Sequence, residues 1–308
     1  MEKTVDSFKN KNILVIGDSI LDVTIDSKAI GLSLESPTLK AKQQDKHYSF
    51  GGAYNVVKNI VSLGAKCTFM TLVGNDEYRS ILEGFEHPRL NFIPLYEQEY
   101  KNVIKQRFWV ERGDHKYKFF QLNQGDKLIK DISNENKNKI LQCLNKKFDK
   151  ALLVDYRNGL LSGNTVNFIM KNCNTPIIAS SQMSDNKTNY DLYDGAELIC
   201  MNSKEFEAVK NYDFKSNLCI TKGSEGSSLV LDKNTYTSPT IHVPFETDTC
   251  GAGDCFLSVL CLTDYMKNPN ESLYLSNIYA ALSITKIGTE TPDFHEYLQY
   301  VKQNSRNK

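Results

Sequence analysis

The sequence predicts an α/β fold, a three-layer sandwich in which helices flank a central, mainly parallel β-sheet. Short apolar runs recur along the chain, and each closes on a glycine or a polar residue, as buried parallel strands do. Segments with a helical pattern separate several of these runs, and that alternation favours parallel strands joined by helices. Two longer segments lack any helical period, which adds a second β-rich part to the prediction.

The apolar runs and the glycines that follow them give the order of the elements. The first strand ends at Gly17, and the first helix of the core stops at Gly64. The run before Asp155 and two later runs read as further buried strands. In chain order the predicted elements are a strand over 13–16, a helix over 54–63, a strand over 67–73, a helix over 139–148, and strands over 151–154, 198–201 and 218–220.

Polar residues follow several of these strands directly. Ligands of parallel sheets bind beyond the carboxyl ends of the strands. The residues at those ends are therefore candidates for a binding site: Asp18, Asp155, Asn202 and Thr221.

Residues 22–50 and 96–122 read as extended strands with alternating polarity, most clearly from Lys105 to Val110. The sequence alone predicts that they are two β-rich insertions in the α/β core.

Composition limits the class of protein. The 308 residues suffice for one large α/β domain or two smaller ones, and 37 basic residues balance 37 acidic ones. This balance gives no reason to expect nucleic acid or an anionic membrane as a partner. No apolar stretch is long enough to span a membrane, and the polar start lacks the core of a signal peptide. The eight scattered cysteines favour reduced thiols in a cytoplasmic protein without a zinc site.

The run from Thr247 to Phe256 carries the clearest chemistry. Gly251, Ala252 and Gly253 offer backbone N–H groups that no large side chain covers, and an apolar helical run follows them. Such a turn at a helix start binds anions. Asp254 beside it is interpreted as a general base, because a carboxylate next to an anion site repels the ligand unless it takes part in the reaction. The alternative is an acid that merely stabilises the helix start.

The stretch from Asp248 to Asp254 resembles the C-terminal signature of the ribokinase-like (PfkB-type) carbohydrate kinases. The residues from Gly51 to Asn55, followed by Gly64 and Gly74, resemble the N-terminal signature of that family. The resemblance extends over about 13–288. It implies a single ribokinase-like domain over 1–308 with a Rossmann-like sandwich and a small β-sheet lid formed by the insertions at about 22–50 and 96–122. ATP and Mg²⁺ are the implied cofactors, and a homodimer formed through the lid is the implied assembly.

The resemblance also assigns residues to the sugar site. Asp22 stands where family members bind the sugar, and Asp18 precedes it at the end of the first strand. Carboxylates there accept hydrogen bonds from sugar hydroxyls, but they also cap turns, so both readings stay open. Gly51 and Gly52 would let the backbone approach the sugar, and Asn55 offers a donor and an acceptor.

Three further motifs resemble the nucleotide half of the family. Asn202 and Glu205 match an N-x-x-E motif whose acid orders a magnesium–phosphate network through water; an exposed acid at a helix start is the alternative. Thr221, Gly223 and Gly226 match a T-x-G-x-x-G stretch near the phosphates. The last two assignments, to the helix and loop on the adenine side, are Asn277 and Gly288.

Three segments resemble the heptose 7-phosphate kinase branch: Leu34-Glu35-Ser36-Pro37, Lys105-Gln106-Arg107, and Asp155-Tyr156 followed by Gly159. Lys105 and Arg107 share one strand face, which would suit an acceptor that already carries a phosphate, D-glycero-D-manno-heptose 7-phosphate. The alternative is a solvated face of the lid. Where the branch usually carries Asp-Pro-Lys, this chain has Ser180-Ser181-Gln182.

The sequence therefore predicts an ATP-dependent kinase for a sugar or a sugar phosphate. A kinase for a free sugar such as ribose or fructose is one alternative, and a non-catalytic relative that binds sugar or nucleotide is another. A dinucleotide-binding oxidoreductase would need a G-x-G-x-x-G directly after the first strand, where this chain has Gly17-Asp18-Ser19.

Overall fold

The computed structural model describes residues 1–125, 129, 131–243, 245–286 and 288–305. Its strands, in chain order, are β1 (Asn12–Gly17), β2 (Ser19–Leu32), β3 (Leu39–Gly52), β4 (Lys66–Leu72), β5 (Leu90–Leu95), β6 (Ile104–Arg112), β7 (His115–Gln124), β8 (Lys150–Asp155), β9 (Ile177–Ser181), β10 (Leu198–Asn202), β11 (Asn217–Thr221), β12 (Ser227–Leu231) and β13 (Asn234–Ser238). Its α-helices are α1 (Glu2–Ser7), α2 (Ala53–Ser62), α3 (Arg79–Glu83), α4 (Asn134–Leu144), α5 (Gly163–Asn172), α6 (Ser203–Val209), α7 (Ala252–Leu262), α8 (Pro269–Ser283) and α9 (Phe294–Ser305).

The large sheet has nine strands in the order β13-β12-β11-β10-β9-β8-β1-β4-β5. The pairs from β5 to β11 are parallel, and the hairpin of β12 and β13 closes one edge with antiparallel pairs. The predicted fold class, with a mainly parallel central sheet, is confirmed.

Both faces of this sheet are buried, because side chains of successive strand residues point to opposite sides. In β1, Ile13 and Val15 pack against α2, α7 and α8, whereas Leu14 and Ile16 pack against α4 and α5. This two-sided burial explains why the strands read as unbroken apolar runs. The result is the predicted three-layer arrangement.

The small sheet is formed by β2, β3, β6 and β7 in the order β3-β2-β6-β7. β2 pairs antiparallel with β3 and parallel with β6, so the two insertions form one sheet. Its strands run beyond the predicted segments: β2 begins at Ser19, immediately after β1, and β7 ends at Gln124. Val23, Ile25 and Val110 form its buried face.

One predicted helix is displaced. The sequence predicts a helix over 139–148, but α4 covers Asn134–Leu144. Ser133 precedes it as N-cap, and its side chain accepts a hydrogen bond from the backbone N–H of Asn136. The predicted helix omits the first turn because the residues of that turn are polar. The Ser133 cap stabilises the turn as a helix start despite that composition.

Candidate active site

The glycine-rich turn that the sequence predicts as an anion cradle lies at the start of α7. Gly251 is the N-cap residue with φ of 81°, and a Cβ there would lie 2.6 Å from Nδ2 of Asn55. Only glycine fits this left-handed position without strain. Gly253 is exposed, and nothing lies within 4 Å of the place its Cβ would occupy. The N–H of Gly253 thus faces open space, where an anion can accept from it, whereas the N–H of Ala252 donates to the Thr249 carbonyl oxygen at 3.3 Å.

Asp254 lies in the first turn of α7 and is half-buried. Its Oδ2 accepts from Nδ2 of Asn55 at 2.7 Å, and the Tyr156 hydroxyl donates to Oδ1 at 2.7 Å and to Oδ2 at 2.8 Å. Burial raises the pKa of Asp254 above its ordinary value, while the two donors and the Lys58 ammonium partly offset that rise. The carboxylate is held by neutral donors, and such a group can accept a proton.

Tyr156 is the residue of this site that sequence reasoning missed as a partner of Asp254. Burial raises the pKa of Tyr156 well above its usual range, so the phenol stays protonated and donates. The only sequence signal was its place in the Asp155-Tyr156 pair, and that pair did not reveal a contact across 98 positions. Asn55, which the sequence predicts to bind the sugar, donates one amide N–H to Asp254.

Asp22 and Arg107 come together in the small sheet. Asp22 is buried in β2, and Nη1 of Arg107 in β6 donates to its Oδ1 as an ion pair. Lys105 is the direct cross-strand neighbour of Asp22 and lies on the same face as Arg107, as the alternation predicts. A Cβ at Gly51 would lie 2.6 Å from Oδ2 of Asp22, so this glycine leaves room for the carboxylate.

Asp18 and Asp155, both predicted as sugar-site residues, accept hydrogen bonds from other parts of the protein. Asp18 is buried, and its carboxylate accepts from three backbone N–H groups, those of Tyr156, Asn158 and Leu160 at 3.0–3.1 Å. Burial, together with the nearby Asp155 carboxylate, raises the pKa of Asp18 to about 7, against the opposing effect of those donors.

Asp155 is equally occupied. It accepts from the backbone N–H of Arg157 at 2.7 Å, and its Oδ2 accepts from Ser181, Asn189 and Tyr193 side chains at 2.7–3.0 Å. The two carboxylates hold the loop 155–160 in place. Asp18 also accepts from the backbone N–H of Tyr156 and so fixes that residue in position.

Gly52 also has an internal role. Its φ is 62°, and a Cβ there would lie 2.5 Å from the backbone oxygen of Asp18. Gly52 connects β3 to α2 and passes close to the Asp18 carbonyl, where a side chain would clash. The close approach at this glycine is therefore to the protein's own backbone and not to a sugar.

The N-x-x-E motif forms a capping box at the start of α6. Oδ1 of Asn202 accepts from the Glu205 N–H at 2.9 Å, and Oε2 of Glu205 accepts from the Asn202 N–H at 2.8 Å and from the Tyr190 hydroxyl at 2.9 Å. Oε1 of Glu205 accepts no hydrogen bond from the described residues. Glu205 also lines a cavity of about 130 Å³ with Asp254 and Gly253. An acid with one oxygen left for water fits a magnesium ion, which keeps several of its waters.

A cleft of about 980 Å³ opens beside this cavity and shares Asn202, Thr221 and Gly253 with it. Gly223 lines the cleft with φ of 57°, and nothing lies near its Cβ position, so a ligand can approach its backbone. Gly226 also lines the cleft, but a Cβ there would lie 2.1 Å from the Ser238 carbonyl oxygen. Its glycine is therefore required by packing against β13.

Asn277 and Gly288 were predicted on the adenine side. Asn277 lines the cleft, but its amide donates to the carbonyls of Ser238 and Pro239 at 3.1 and 3.2 Å and accepts from Ser227 at 3.0 Å. These bonds tie α8 to the β12–β13 hairpin, so the side chain is not free to contact a base. The N–H of Gly288 donates to Oδ2 of Asp248 at 3.1 Å and connects its loop to the anion cradle.

A sequence model described as pfkB family carbohydrate kinase matches residues 10–295. This chain belongs to that family. The members of this family are described as carbohydrate kinases, phosphotransferases with an alcohol group as acceptor, so the match contradicts the oxidoreductase alternative.

Alignments with curated relatives cover more than nine tenths of this chain but a smaller share of each relative. The bifunctional protein HldE of Campylobacter curvus is 27% identical over 325 residues, covering 96% of this chain and 66% of the relative. The bifunctional protein HldE of Haemophilus influenzae is 29% identical over 313 residues, covering 92% of this chain and 62% of the relative. The chain thus spans slightly less than two thirds of these relatives.

Solved structures show the same fold at low identity. Arabidopsis thaliana ribokinase, complexed with ribose and ATP, gives a TM-score of 0.67 at 15% identity and covers 95% of this chain and 99% of its own. Escherichia coli phosphofructokinase-2, in complex with substrates and products, gives a TM-score of 0.70 at 15% identity. The match covers 96% of this chain and 99% of that structure's chain. None of the helices in the described ranges is long and apolar enough to cross a bilayer.

Proposed function

We propose that this chain transfers the γ-phosphoryl group of ATP to a hydroxyl of a sugar phosphate of the heptose 7-phosphate type. The single observation that carries the proposal is the position of Asp254. Its carboxylate accepts from Asn55 and Tyr156 at the start of the anion cradle, beside a cleft large enough for a nucleotide. Charge on a phosphoryl group in transfer is best stabilised by such preorganised N–H donors.

The proposed step is an in-line displacement. The acceptor oxygen forms a bond to the γ-phosphorus while the bond to the leaving oxygen of ADP breaks, and the hydroxyl proton passes to Asp254. Asn55 and Tyr156 fix the position of this carboxylate by donating hydrogen bonds to its oxygens. The N–H groups of Gly251 and Gly253 would donate to the transferred group, and the N–H of Ala252 would join them by leaving the Thr249 carbonyl oxygen.

Mg²⁺ would be held through water by Glu205 and would neutralise charge on the phosphates. Thr221 and Gly223, which line the 980 Å³ cleft, would lie along the nucleotide. ATP as donor and the eight free cysteines of the described chain support a cytoplasmic location, which fractionation of the source cells tests.

The phosphorylated acceptor is supported by two cations on one face of β6. Lys105 and Arg107 lie beside Asp22, and Lys105 has no carboxylate partner among the described residues. Asp22 would accept from sugar hydroxyls, and the cations would bind the phosphate at the far end of the sugar.

A kinase for a free sugar is the second candidate, and one observation favours it. The charge of Arg107 is already neutralised by Asp22, so the face carries less net positive charge than the sequence alone indicates.

A screen of ADP release decides between the two candidates. Its panel contains heptose 7-phosphate, fructose 6-phosphate, ribose and fructose, with Asp254→Asn as the control that removes the base and lowers the rate about 10²–10⁴-fold. Arg107→Ala should lower kcat/KM for phosphorylated acceptors about 10- to 100-fold and leave neutral sugars unchanged. Equal losses for both acceptor types would reject the sugar-phosphate proposal, and full activity of Asp254→Asn would reject Asp254 as the base.

Assembly through the small sheet is a further part of the proposal. Every residue of β7 is exposed, and Phe119, Phe120 and Leu122 have 52%, 46% and 43% of their surface open to solvent. Apolar surface of this kind is usually covered by a partner, and we propose a second copy of this chain. Sedimentation should give a dimer for the wild type and a monomer for Phe119→Asp; a monomeric wild type would contradict the proposal.

A further inference from the structure

Arg157 has an unusual backbone for its residue type. It lies in the loop between β8 and α5, directly after Tyr156, with φ of 61° in the left-handed region. Residues other than glycine rarely adopt this conformation, and such strain clusters at functional sites. The hydrogen bond from its N–H to Oδ1 of Asp155 fixes the backbone there. The position of the Arg157 side chain is therefore maintained at the expense of backbone strain.

The guanidinium of Arg157 contacts a residue that lines the 130 Å³ cavity. Its Nη1 donates to the backbone oxygen of Gln182 at 3.5 Å, the outer limit of a hydrogen bond. Gln182 lines the cavity that also contains Asp254 and Glu205. Arg157 forms no ion pair within the described ranges of the chain, so little holds the guanidinium in its present position.

The cavity itself lacks positive charge. Its lining includes three carboxylates, those of Asp155, Glu205 and Asp254, and contains no lysine or arginine. A phosphoryl group in transfer spreads negative charge over three oxygens and is repelled by carboxylates unless cations offset them. The proposed Mg²⁺ and the Lys58 ammonium near Asp254 would offset part of this repulsion, and a cation beside Gln182 would offset more of it. Gln182 is a neutral residue of this lining, and Arg157 donates to its backbone oxygen.

We propose that Arg157 is a further catalytic residue of the proposed kinase reaction. Its guanidinium leaves the Gln182 carbonyl, turns into the cavity and binds the oxygens of the phosphoryl group in transfer. A planar guanidinium can donate two parallel hydrogen bonds to such oxygens, and the weak bond to Gln182 is easily exchanged. The inference rests on the proposed function, because it needs a phosphoryl group in this cavity.

Two substitutions separate the charge from the backbone strain. Arg157→Ala removes the guanidinium and keeps a side chain in the left-handed position, whereas Arg157→Gly also removes the strain. We expect both to lower kcat about 10- to 100-fold, the loss of one charge-assisted hydrogen bond in the transition state. The unfolding temperature of Arg157→Gly should equal or exceed that of the wild type, so its slow rate cannot come from a damaged fold.

Lys233 provides the matched control. It is an exposed cation with φ of 70° in the turn between β12 and β13. Lys233→Gly makes the same change of charge and backbone outside both the cavity and the cleft, and it should leave the rate unchanged.

Rescue from position 182 distinguishes catalysis from support of the loop. Adding Gln182→Lys to Arg157→Ala returns a cation to the cavity from another element, and we expect it to restore at least a tenth of the wild-type rate to a variant that has lost more. A loop that merely needs Arg157 for packing would not respond. Rates of Arg157→Ala and Arg157→Gly within threefold of wild type, or a loss that Gln182→Lys leaves unchanged, would overturn the proposal.

Nucleotide binding tests the inference without an acceptor. Calorimetry would compare the magnesium complexes of a non-hydrolysable ATP analogue and of ADP. Arg157→Ala should weaken the analogue several-fold and ADP little, because only the analogue carries the terminal phosphate. Equal affinities in wild type and variant would count against Arg157. If no sugar is phosphorylated but this difference is found, the proposed acceptor is wrong and the role of Arg157 in binding the terminal phosphate stands.

Discussion

At the scale of single residues, the reactivity of Asp254 is set by its two donors. Their hydrogen bonds favour the ionised carboxylate, while burial opposes it and raises its pKa. The ionised form of the proposed base is therefore disfavoured by burial and favoured by these hydrogen bonds. Any change that weakens the donors should make it harder to ionise.

Tyr156→Phe tests this balance. The phenyl ring keeps the volume but donates nothing to Asp254, so the pKa of Asp254 should rise further. A base with a higher pKa is protonated at higher pH, so the acidic limb of the pH profile of kcat/KM should move to higher pH. We expect kcat at neutral pH to fall by about an order of magnitude.

Tyr193→Phe is the control for this experiment, since Tyr193 donates from a buried position to Asp155 and makes no hydrogen bond to Asp254. Its acidic limb should stay where the wild type has it. An unmoved limb in Tyr156→Phe would show that the Tyr156 hydroxyl does not tune the base.

At the scale of elements, the capping box of α6 contains Glu205, the acid proposed to hold Mg²⁺ through water. Glu205→Gln keeps an oxygen that can accept from Asn202 but removes the negative charge. We expect the Mg²⁺ concentration for half-maximal rate to rise more than the KM of the sugar does. Glu207→Gln, an exposed acid on the same helix, is the control. Identical magnesium titrations for Glu205→Gln and wild type would leave Glu205 with a capping role alone.

The small sheet is expected to close over the bound sugar. It is joined to the large sheet through the β1–β2 and β3–α2 connections, and most residues toward its free ends are exposed. A kinase that excludes water from the phosphoryl group avoids hydrolysis of ATP, and closure of a cover achieves this. Hydrogen exchange in 22–50 and 96–122 should therefore slow when the correct acceptor is added. Equal exchange with and without saturating acceptor would indicate a fixed wall.

At the scale of the whole molecule, Asp18 makes stability depend on pH. Its pKa of about 7 in the folded protein exceeds the ordinary 3.8, so between these values the folded state keeps a proton that the unfolded state releases. The contribution of Asp18 to the free energy of unfolding is fully present below about pH 4. It is lost as the pH rises towards 7, and the loss is on the order of a few kcal/mol. The difference in free energy of unfolding between wild type and Asp18→Asn should fall over this window.

Chemical denaturation at pH 5 and pH 8 measures that difference. Asp213→Asn, at an exposed position, serves as the control and should show no such change. A constant difference between wild type and Asp18→Asn at both pH values would mean that Asp18 is ionised throughout the window.

The sequence by itself determined the features that depend on neighbouring residues. Apolar runs ending in glycine or polar residues gave the strands of the large sheet, since burial on both faces demands unbroken apolar residues. Gly251 and Asp254 could be assigned because a helix start, its open N–H groups and its first-turn acid lie within four positions. The displaced α4 shows the limit of local reasoning, where one capping serine outweighed a polar first turn.

Only the tertiary structure decided which groups are free to react. Asp18, Asp155 and Asn277 looked like ligands in the sequence, but donors and acceptors from distant elements already occupy them. Tyr156 reaches Asp254 across 98 positions, and Arg107 reaches Asp22 across 85. A polar residue at a strand end has the same pattern in the sequence whether it faces a ligand or the protein. The path of the folded backbone determines which of the two it meets.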